Sequence, residues 1–254
     1  MTFAQYLRSN PFITVIDYSK GTRPLTKNEW KIETSVYGLE KLIKEKIGGK
    51  IMKPAQYAEV FYKDKPLRFA IDYEVELLTI DPANENVLNN VIEALKAEFE
   101  PLVKGIGREL KLYISSATRE QPCSVYYRMR SIKHSYHIVT NLYCDSPEHV
   151  KLVAKEIKDR HPTLTIDDKG IDLQVYGNNR TMRTLYSIKD KIESTFLKPI
   201  TYEKELKQHF WTYCNPDEHI RLDVELPKRD PIQPVMNIEA STGSLKVIKE
   251  MLDK

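Results

Sequence analysis

The fold class of this chain follows from one alternating stretch, Arg68-Phe-Ala-Ile-Asp-Tyr-Glu-Val-Glu-Leu-Leu78. Successive side chains of a β-strand point to opposite faces, so a strict alternation of apolar and polar residues predicts a strand. The polar positions are Asp72, Glu74 and Glu76. We therefore expect a strand with an apolar face against the core and an acidic face on the other side.

Helical and strand-like patterns alternate around this strand, which predicts an α+β fold. A helix is predicted over 36–47, a second after Asp81-Pro82, and a third from Pro147 to Arg160 with Ser146 as its N-cap. The basic, aperiodic segment 119–130 is predicted to be a loop. The strand-like runs are 110–115, 135–143, the start of 170–180, and 181–189 after a Gly-Asn-Asn turn.

The 254 residues suit one large domain or two small ones. Residues 1–227 are predicted to form the core, with 1–60 as a helical scaffold. The Pro-rich segment 228–254 reads as a linker and a C-terminal helix that could lead to further domains.

Composition excludes several classes of protein. With 41% hydrophobic and 30% charged residues, wholesale disorder is not expected. The chain has no apolar run of bilayer-spanning length and does not begin like a secretory signal, so we expect a soluble, intracellular protein with no membrane partner. Cys123, Cys144 and Cys214 form no Cys-x-x-Cys pair, which argues against a disulfide framework and a cysteine-based zinc site.

Charge is unevenly distributed along the chain. Residues 66–100 contain eight acidic and two basic residues, whereas 101–191 contain sixteen basic and ten acidic residues. This order suits a protein that binds both cations and a polyanion, although two solvated faces would give the same pattern.

Two carboxylates on one strand face could bind a hard divalent cation. Asp72 and Glu74 lie two positions apart, and carboxylate oxygens suit Mg²⁺ or Mn²⁺. The pair alone has low specificity, because Asp223-Val-Glu225 repeats it and a solvated strand face is the more common explanation.

A second strand carries groups that could contact phosphate. Ser135 and His137 share a face, and Lys133 joins them if the strand begins early. A nucleophilic Ser–His pair is the alternative, but the stretch supplies neither an orienting acid nor a Gly-x-Ser-x-Gly elbow. A structural histidine is the other alternative.

A third region combines an acid with several cations. Asp172 lies in an apolar setting ahead of Arg180, while Arg183, Ser187 and Lys189 would share one face of the run 181–189. Two cations and a hydroxyl on one face are typical of a triphosphate cradle, although a generic basic nucleic-acid surface is also possible.

Together and in this order, these regions resemble the three motifs of the archaeo-eukaryotic primase superfamily. The matching blocks are Phe69-Ala-Ile-Asp72-Tyr-Glu74, Lys133-His-Ser135-Tyr-His137-Ile-Val and the longer Ile171-Asp172-Leu-Gln-Val-Tyr176-Gly-Asn-Asn179-Arg180-Thr-Met-Arg183-Thr-Leu-Tyr-Ser187-Ile-Lys189. The third block is especially similar to the PrimPol-like and viral branch. The resemblance covers roughly 57–189.

The resemblance implies a primase or primase-polymerase that joins nucleoside triphosphates on a single-stranded DNA template. It implies two α/β lobes, one built on an RRM-like sheet, with the active site between them. The acidic residues of the motifs would bind two Mg²⁺ or Mn²⁺ ions, and the basic residues, the serine and the histidine would bind the nucleotide. The implied metal ligands are Asp72, Glu74 and Asp172, and the implied nucleotide contacts are Lys133, Ser135, His137, Arg180, Arg183 and Lys189.

Two departures and two alternatives accompany this hypothesis. Nothing in the chain supplies the zinc ligands of PrimPol proteins, so no zinc is expected. Primer initiation would then need a further C-terminal region or a partner. A helicase is another expected partner. Residues 1–60 match none of the family's motifs. The alternative functions are a non-catalytic single-stranded nucleic-acid-binding module and a metal-dependent nuclease.

Overall fold

The computed structural model describes residues 12–17, 31–47, 57–126, 128–188 and 196–223. Within them, three α-helices accompany eleven strands, in agreement with the predicted α+β class. The helices are α1 (Val36–Ile47), α2 (Val87–Gly105) and α3 (Pro147–Arg160). The strands are β1 (Phe12–Asp17), β2 (Lys31–Ser35), β3 (Tyr57–Val60), β4 (Leu67–Leu78), β5 (Leu112–Ser116), β6 (Arg119–Pro122), β7 (Arg130–Cys144), β8 (Gly170–Ile171), β9 (Thr181–Arg183), β10 (Lys198–Pro199) and β11 (Ile220–Arg221).

The larger sheet is built around a β-α-β-β-α-β unit. Its order is β10-β5-β7-β4-β8, with β6 and β11 also paired to β7. Four of its strands, β4, β5, β7 and β8, are connected through α2 and α3 and pair antiparallel, so β4 and β7 lie at the centre. This is the split β-α-β arrangement, in which both helices cover one face of the sheet.

The apolar face of β4 packs against α2 and α3, as its alternation predicts. Phe69 and Tyr73 are buried with Phe99 of α2 and Ile157 of α3. The rings of Phe69 and Phe99 meet edge to face, with centroids 4.8 Å apart. The sequence also predicts the start of α3, where the Ser146 hydroxyl accepts the His149 N–H at 3.2 Å. The acidic face of β4 therefore lies on the side away from the helices.

The smaller sheet has the order β2-β1-β3-β9. The predicted helix 36–47 is present as α1, but the region predicted as a helical scaffold also contributes β1, β2 and β3. The last strand, β9, comes from far along the chain and pairs with β3.

One segment near residue 210 joins the two sheets. The Glu59 carboxylate in β3 accepts the backbone N–H groups of Trp211, at 3.2 Å, and Thr212, at 2.9 Å. From the other side, the buried Arg68 guanidinium in β4 donates to the Gln208 carbonyl at 2.6 Å. Because buried backbone groups must find partners, these bonds fix the position of β3 relative to β4.

Three sequence predictions need comment. Segment 119–130 is not a loop throughout, because β6 pairs antiparallel with β7. The two strand-like runs on either side of the Gly-Asn-Asn turn contribute short strands to different sheets, since β8 joins β4 and β9 joins β3. The predicted linker and helix at 228–254 lie outside the described residues.

Truncation of the core beneath the acidic strand should destabilise the protein. Phe99→Ala is expected to lower the free energy of unfolding by about 3 to 5 kcal/mol, because Phe99 is fully buried between α2 and the sheet. Urea denaturation followed by circular dichroism measures this change. The control Leu152→Ala, at a 62% exposed position on α3, should stay within about 0.5 kcal/mol of the parent. Equal effects of the two variants would contradict this packing.

Candidate active site

The register of β4 against β7 places each acidic side chain of β4 opposite a hydrogen-bond donor. Asp72 is opposite His137, and Glu74 is opposite Ser135. Directly opposite residues of an antiparallel pair share a face of the sheet, so these four side chains lie together. The strand β7 begins at Arg130, which puts Lys133 on the same face, as the sequence analysis expected.

Asp172 directly follows β8 and joins the same face. Its N–H donates to the Asp72 carbonyl at 2.9 Å, which extends the register in which Tyr73 is opposite Ile171. Asp172 is therefore the direct cross-strand neighbour of Asp72, on the same face of the sheet. Its carboxylate is exposed, and its Oδ1 accepts the Gln174 N–H at 2.8 Å.

The Glu74 carboxylate is held by the two neighbouring residues predicted to contact phosphate. The Lys133 Nζ lies 2.8 Å from Glu74 Oε2, and the Ser135 hydroxyl donates to Glu74 Oε1 at 3.2 Å. The structure thus brings together Glu74, Lys133 and Ser135 as one charge-assisted cluster.

His137 is a buried, neutral imidazole. Burial, with a smaller effect of the Arg183 charge, holds its pKa well below the usual value near 6.5. Its Nε2 lies 3.7 Å from Asp72 Oδ1, which is too long for a hydrogen bond. A neutral imidazole carries one N–H donor, so His137 can offer a hydrogen bond but no positive charge at neutral pH.

Arg183 reaches the acidic face from the smaller sheet. It ends β9, where it is opposite Ala58 of β3. Burial lowers the pKa of Arg183, while the charges of Asp72 and Glu74 raise it. Arg183 of the smaller sheet therefore lies within electrostatic range of Asp72 and Glu74 on the larger sheet.

The remaining part of the predicted triphosphate cradle does not have the structure that the sequence predicts. The strand ends at Arg183, and Tyr186 has a left-handed backbone with φ of 57°, so the shared face predicted for 181–189 does not form. Ser187 is fully buried, where its hydroxyl accepts the Tyr57 N–H at 3.1 Å. Ser187 is therefore structural, and Lys189 lies outside the described residues.

The turn before β9 fixes the chain as it passes between the sheets. Asn179 adopts φ of 57°, and its N–H donates to the Phe61 carbonyl at 2.8 Å. The Phe61 N–H donates in return to the Arg180 carbonyl at 2.9 Å. Asn179 therefore braces the turn, and the Arg180 side chain is exposed.

Glu76, which the sequence analysis did not assign to the site, anchors the hairpin formed by β6 and β7. Its carboxylate accepts the Ser131 hydroxyl at 2.7 Å, and the Ser124 hydroxyl and N–H at 2.8 and 3.0 Å. Burial raises the pKa of Glu76, but these bonds outweigh it and lower the pKa to about 2. Glu76 shares the parity of Asp72 and Glu74, which is the one sequence signal that could have identified it.

The donor set of the acidic face suits a hard divalent cation. Asp72 and Glu74 on β4, and Asp172 directly after β8, supply only oxygen. Among the described residues, however, the structure shows no group of three or more His, Cys, Asp or Glu side chains already gathered tightly enough to hold a metal. Glu74 is instead bonded to Lys133 and Ser135, and Asp172 accepts the Gln174 N–H.

The chain matches no family model and no curated protein. Within the described ranges, the structure contains no helix that is long and apolar enough to cross a membrane.

The anchoring role of Glu76 predicts a specific pH dependence of stability. A carboxyl whose pKa is lower in the folded than in the unfolded state stabilises the protein above its unfolded pKa, near 4.5, and this contribution is lost as the pH falls toward 2. Glu76→Gln should therefore lower the free energy of unfolding at pH 7, and the difference from the parent should shrink between pH 4.5 and 2.

Urea denaturation across this pH range measures the effect. The control Glu93→Gln changes an exposed carboxylate on α2, with 69% of its side chain accessible, and should show little change at any pH. A difference between Glu76→Gln and the parent that does not vary with pH would contradict the proposed ionisation.

Proposed function

We propose that this protein is a template-dependent nucleotidyltransferase, a primase or primase-polymerase that joins nucleoside triphosphates on single-stranded DNA. One observation carries the proposal: the hydrogen bond from Asp172 to Asp72 makes these two acids direct neighbours on one sheet face, although a hundred residues separate them. The motif resemblance requires this convergence, whereas unrelated solvated faces would not produce it.

The arrangement of the strands supports the same proposal. The β-α-β-β-α-β order of the larger sheet is that of an RRM-like sheet, which the resemblance to primases implies. The charges of Asp72 and Glu74 on this face raise the pKa of Arg183, which belongs to the smaller sheet. A site between two lobes is the expected position in such an enzyme.

In the proposed mechanism, the chain's residues position a triphosphate and neutralise its charge. Asp72, Glu74 and Asp172 would hold two Mg²⁺ or Mn²⁺ ions, which when bound activate an attacking hydroxyl and stabilise the leaving group. Ser135 and the neutral His137 would donate hydrogen bonds to phosphate oxygens.

The cations complete the site. Lys133 and Arg183, with Lys189 from the sequence motif, would neutralise phosphate charge and so keep the leaving pyrophosphate in line with the attacking hydroxyl. Arg180, on the adjacent turn, would reach the nucleotide from the edge of the site. Phosphoryl transfer relies mainly on such positioning, so few residues are needed.

Removal of one carboxylate should abolish catalysis without abolishing DNA binding. Asp72→Asn is expected to reduce primer extension and dinucleotide synthesis with Mn²⁺ or Mg²⁺ by at least about 10³-fold, since the metal ions would lose a ligand. Extension of a labelled primer on single-stranded DNA measures the activity, and fluorescence anisotropy measures DNA binding.

The matched control is Asp64→Asn, in the exposed turn before β4. It removes the same charge away from the site and should leave the activity unchanged. Full activity of Asp72→Asn would contradict the carboxylate assignment.

Two other functions give different outcomes in the same assay. A non-catalytic binding module would bind DNA with strong salt dependence and show no metal-dependent incorporation. A nuclease would shorten labelled single-stranded DNA with metal and no nucleotide. The cations near the acidic face, Lys133 and Arg183, favour polymerisation, because a triphosphate requires more neutralisation than a single phosphodiester.

A further inference from the structure

A pocket of about 330 Å³ opens on the acidic face beside Glu74. Besides Val75, it is lined by two carboxylates, three cations and one amide: Glu74, Glu76, Arg119, Lys133, Lys169 and Gln121. Neither the motifs nor the proposed mechanism uses Arg119, Lys169 or Gln121. The pocket lies toward Glu76, away from Asp72 and Asp172.

Two of the cations are placed against each other. Arg119 is directly opposite Lys133 in the pairing of β6 with β7. Like charges at directly opposite positions destabilise a sheet. Arg119 also lowers the pKa of Arg183, an effect smaller than that of burial. Glu74 balances the charge of Lys133 in the structure, and a polyanion bound between the two cations would neutralise both.

The two carboxylates of the pocket already engage two of its three cations. Lys133 and Ser135 both contact Glu74, at 2.8 and 3.2 Å. Lys169 Nζ lies 3.6 Å from Glu76, whose oxygens also accept the Ser124 and Ser131 bonds. The donors that could bind phosphate at the edge of the metal site are therefore engaged by Glu74 as long as its carboxylate points toward them.

We propose that this pocket binds the outer phosphates of a triphosphate through Arg119, Lys133 and Lys169, and that Glu74 masks it until a divalent cation takes the carboxylate. The proposal rests on the proposed function and adds the direction in which the triphosphate would extend across the site. Residues two apart in a strand are roughly 7 Å apart, so Glu76 lies about that far beyond Glu74. A triphosphate whose inner phosphate lies near Asp72 would extend toward the pocket.

Masking by Glu74 couples the binding of the divalent cation to the binding of phosphate. A cation that engages Glu74 releases Lys133 and Ser135 for phosphate, and phosphate bound to these donors in turn frees the Glu74 carboxylate for the cation. Each ligand should therefore raise the affinity for the other by the same factor.

The test measures binding of inorganic tripolyphosphate by calorimetry in EDTA, where no divalent cation is present. Glu74→Gln should bind tripolyphosphate roughly three- to tenfold more tightly than the parent, because the neutral amide releases Lys133. If Glu74→Gln fails to fold, Glu74→Asp, which withdraws the carboxylate by one methylene, should shift the affinity in the same direction.

Asp172→Asn is the matched control, since it removes one negative charge from the same face without touching Lys133. An equal gain in Asp172→Asn would show a general charge effect and overturn the masking, as would an unchanged affinity in Glu74→Gln.

The cations are tested in the Glu74→Gln background. Adding Arg119→Gln or Lys169→Gln should weaken tripolyphosphate binding by at least threefold, whereas Lys151→Gln, on the exposed side of α3, should not. Equal effects of all three would overturn the pocket assignment. These outcomes are separate from catalysis: tighter binding by Glu74→Gln without primer extension by the parent would refute the proposed function and leave the anion pocket standing.

Discussion

The hydrogen bond from the Asp172 N–H to the Asp72 carbonyl is the constraint on which the site depends. It sets the register of β8 on β4 and makes the two acids neighbours on one face. Register in a sheet is strict because a slip of one residue would move a side chain to the opposite face. The apolar face of β4, packed on α2 and α3, provides that strictness, so the hydrophobic core beneath the sheet determines where the carboxylates point.

Electrostatics at the site follow from the meeting of two sheets. Arg183 belongs to the smaller sheet but acts on Asp72 and Glu74 of the larger one. The segment near Trp211 holds the sheets in place through Glu59 and Arg68, both of which are buried. A charged site of this kind needs a rigid frame, because the Coulomb energy of a pair changes steeply with distance at low dielectric.

Much of this arrangement could be predicted from local pattern. The alternation in β4 gave the acidic face, and the Ser146 cap gave the start of α3, because both depend on residues close in sequence. The strand β6 was missed because Arg119 and Gln121 alternate with Glu120 and Pro122, which leaves no apolar face to recognise.

The misassigned run after β9 has another cause. Its alternation continues to Lys189, but Tyr186 turns the chain and Ser187 is drawn into the core to satisfy the Tyr57 N–H. Such long-range bonds leave no periodic signal in the sequence.

The central claim, that Asp72, Glu74 and Asp172 converge on divalent cations, is tested most directly by anomalous diffraction from crystals grown with Mn²⁺ and a non-hydrolysable nucleotide. We expect manganese bound directly to carboxylate oxygens of both Asp72 and Asp172; manganese bound only elsewhere, with these acids uncoordinated, would contradict the convergence of the three acids.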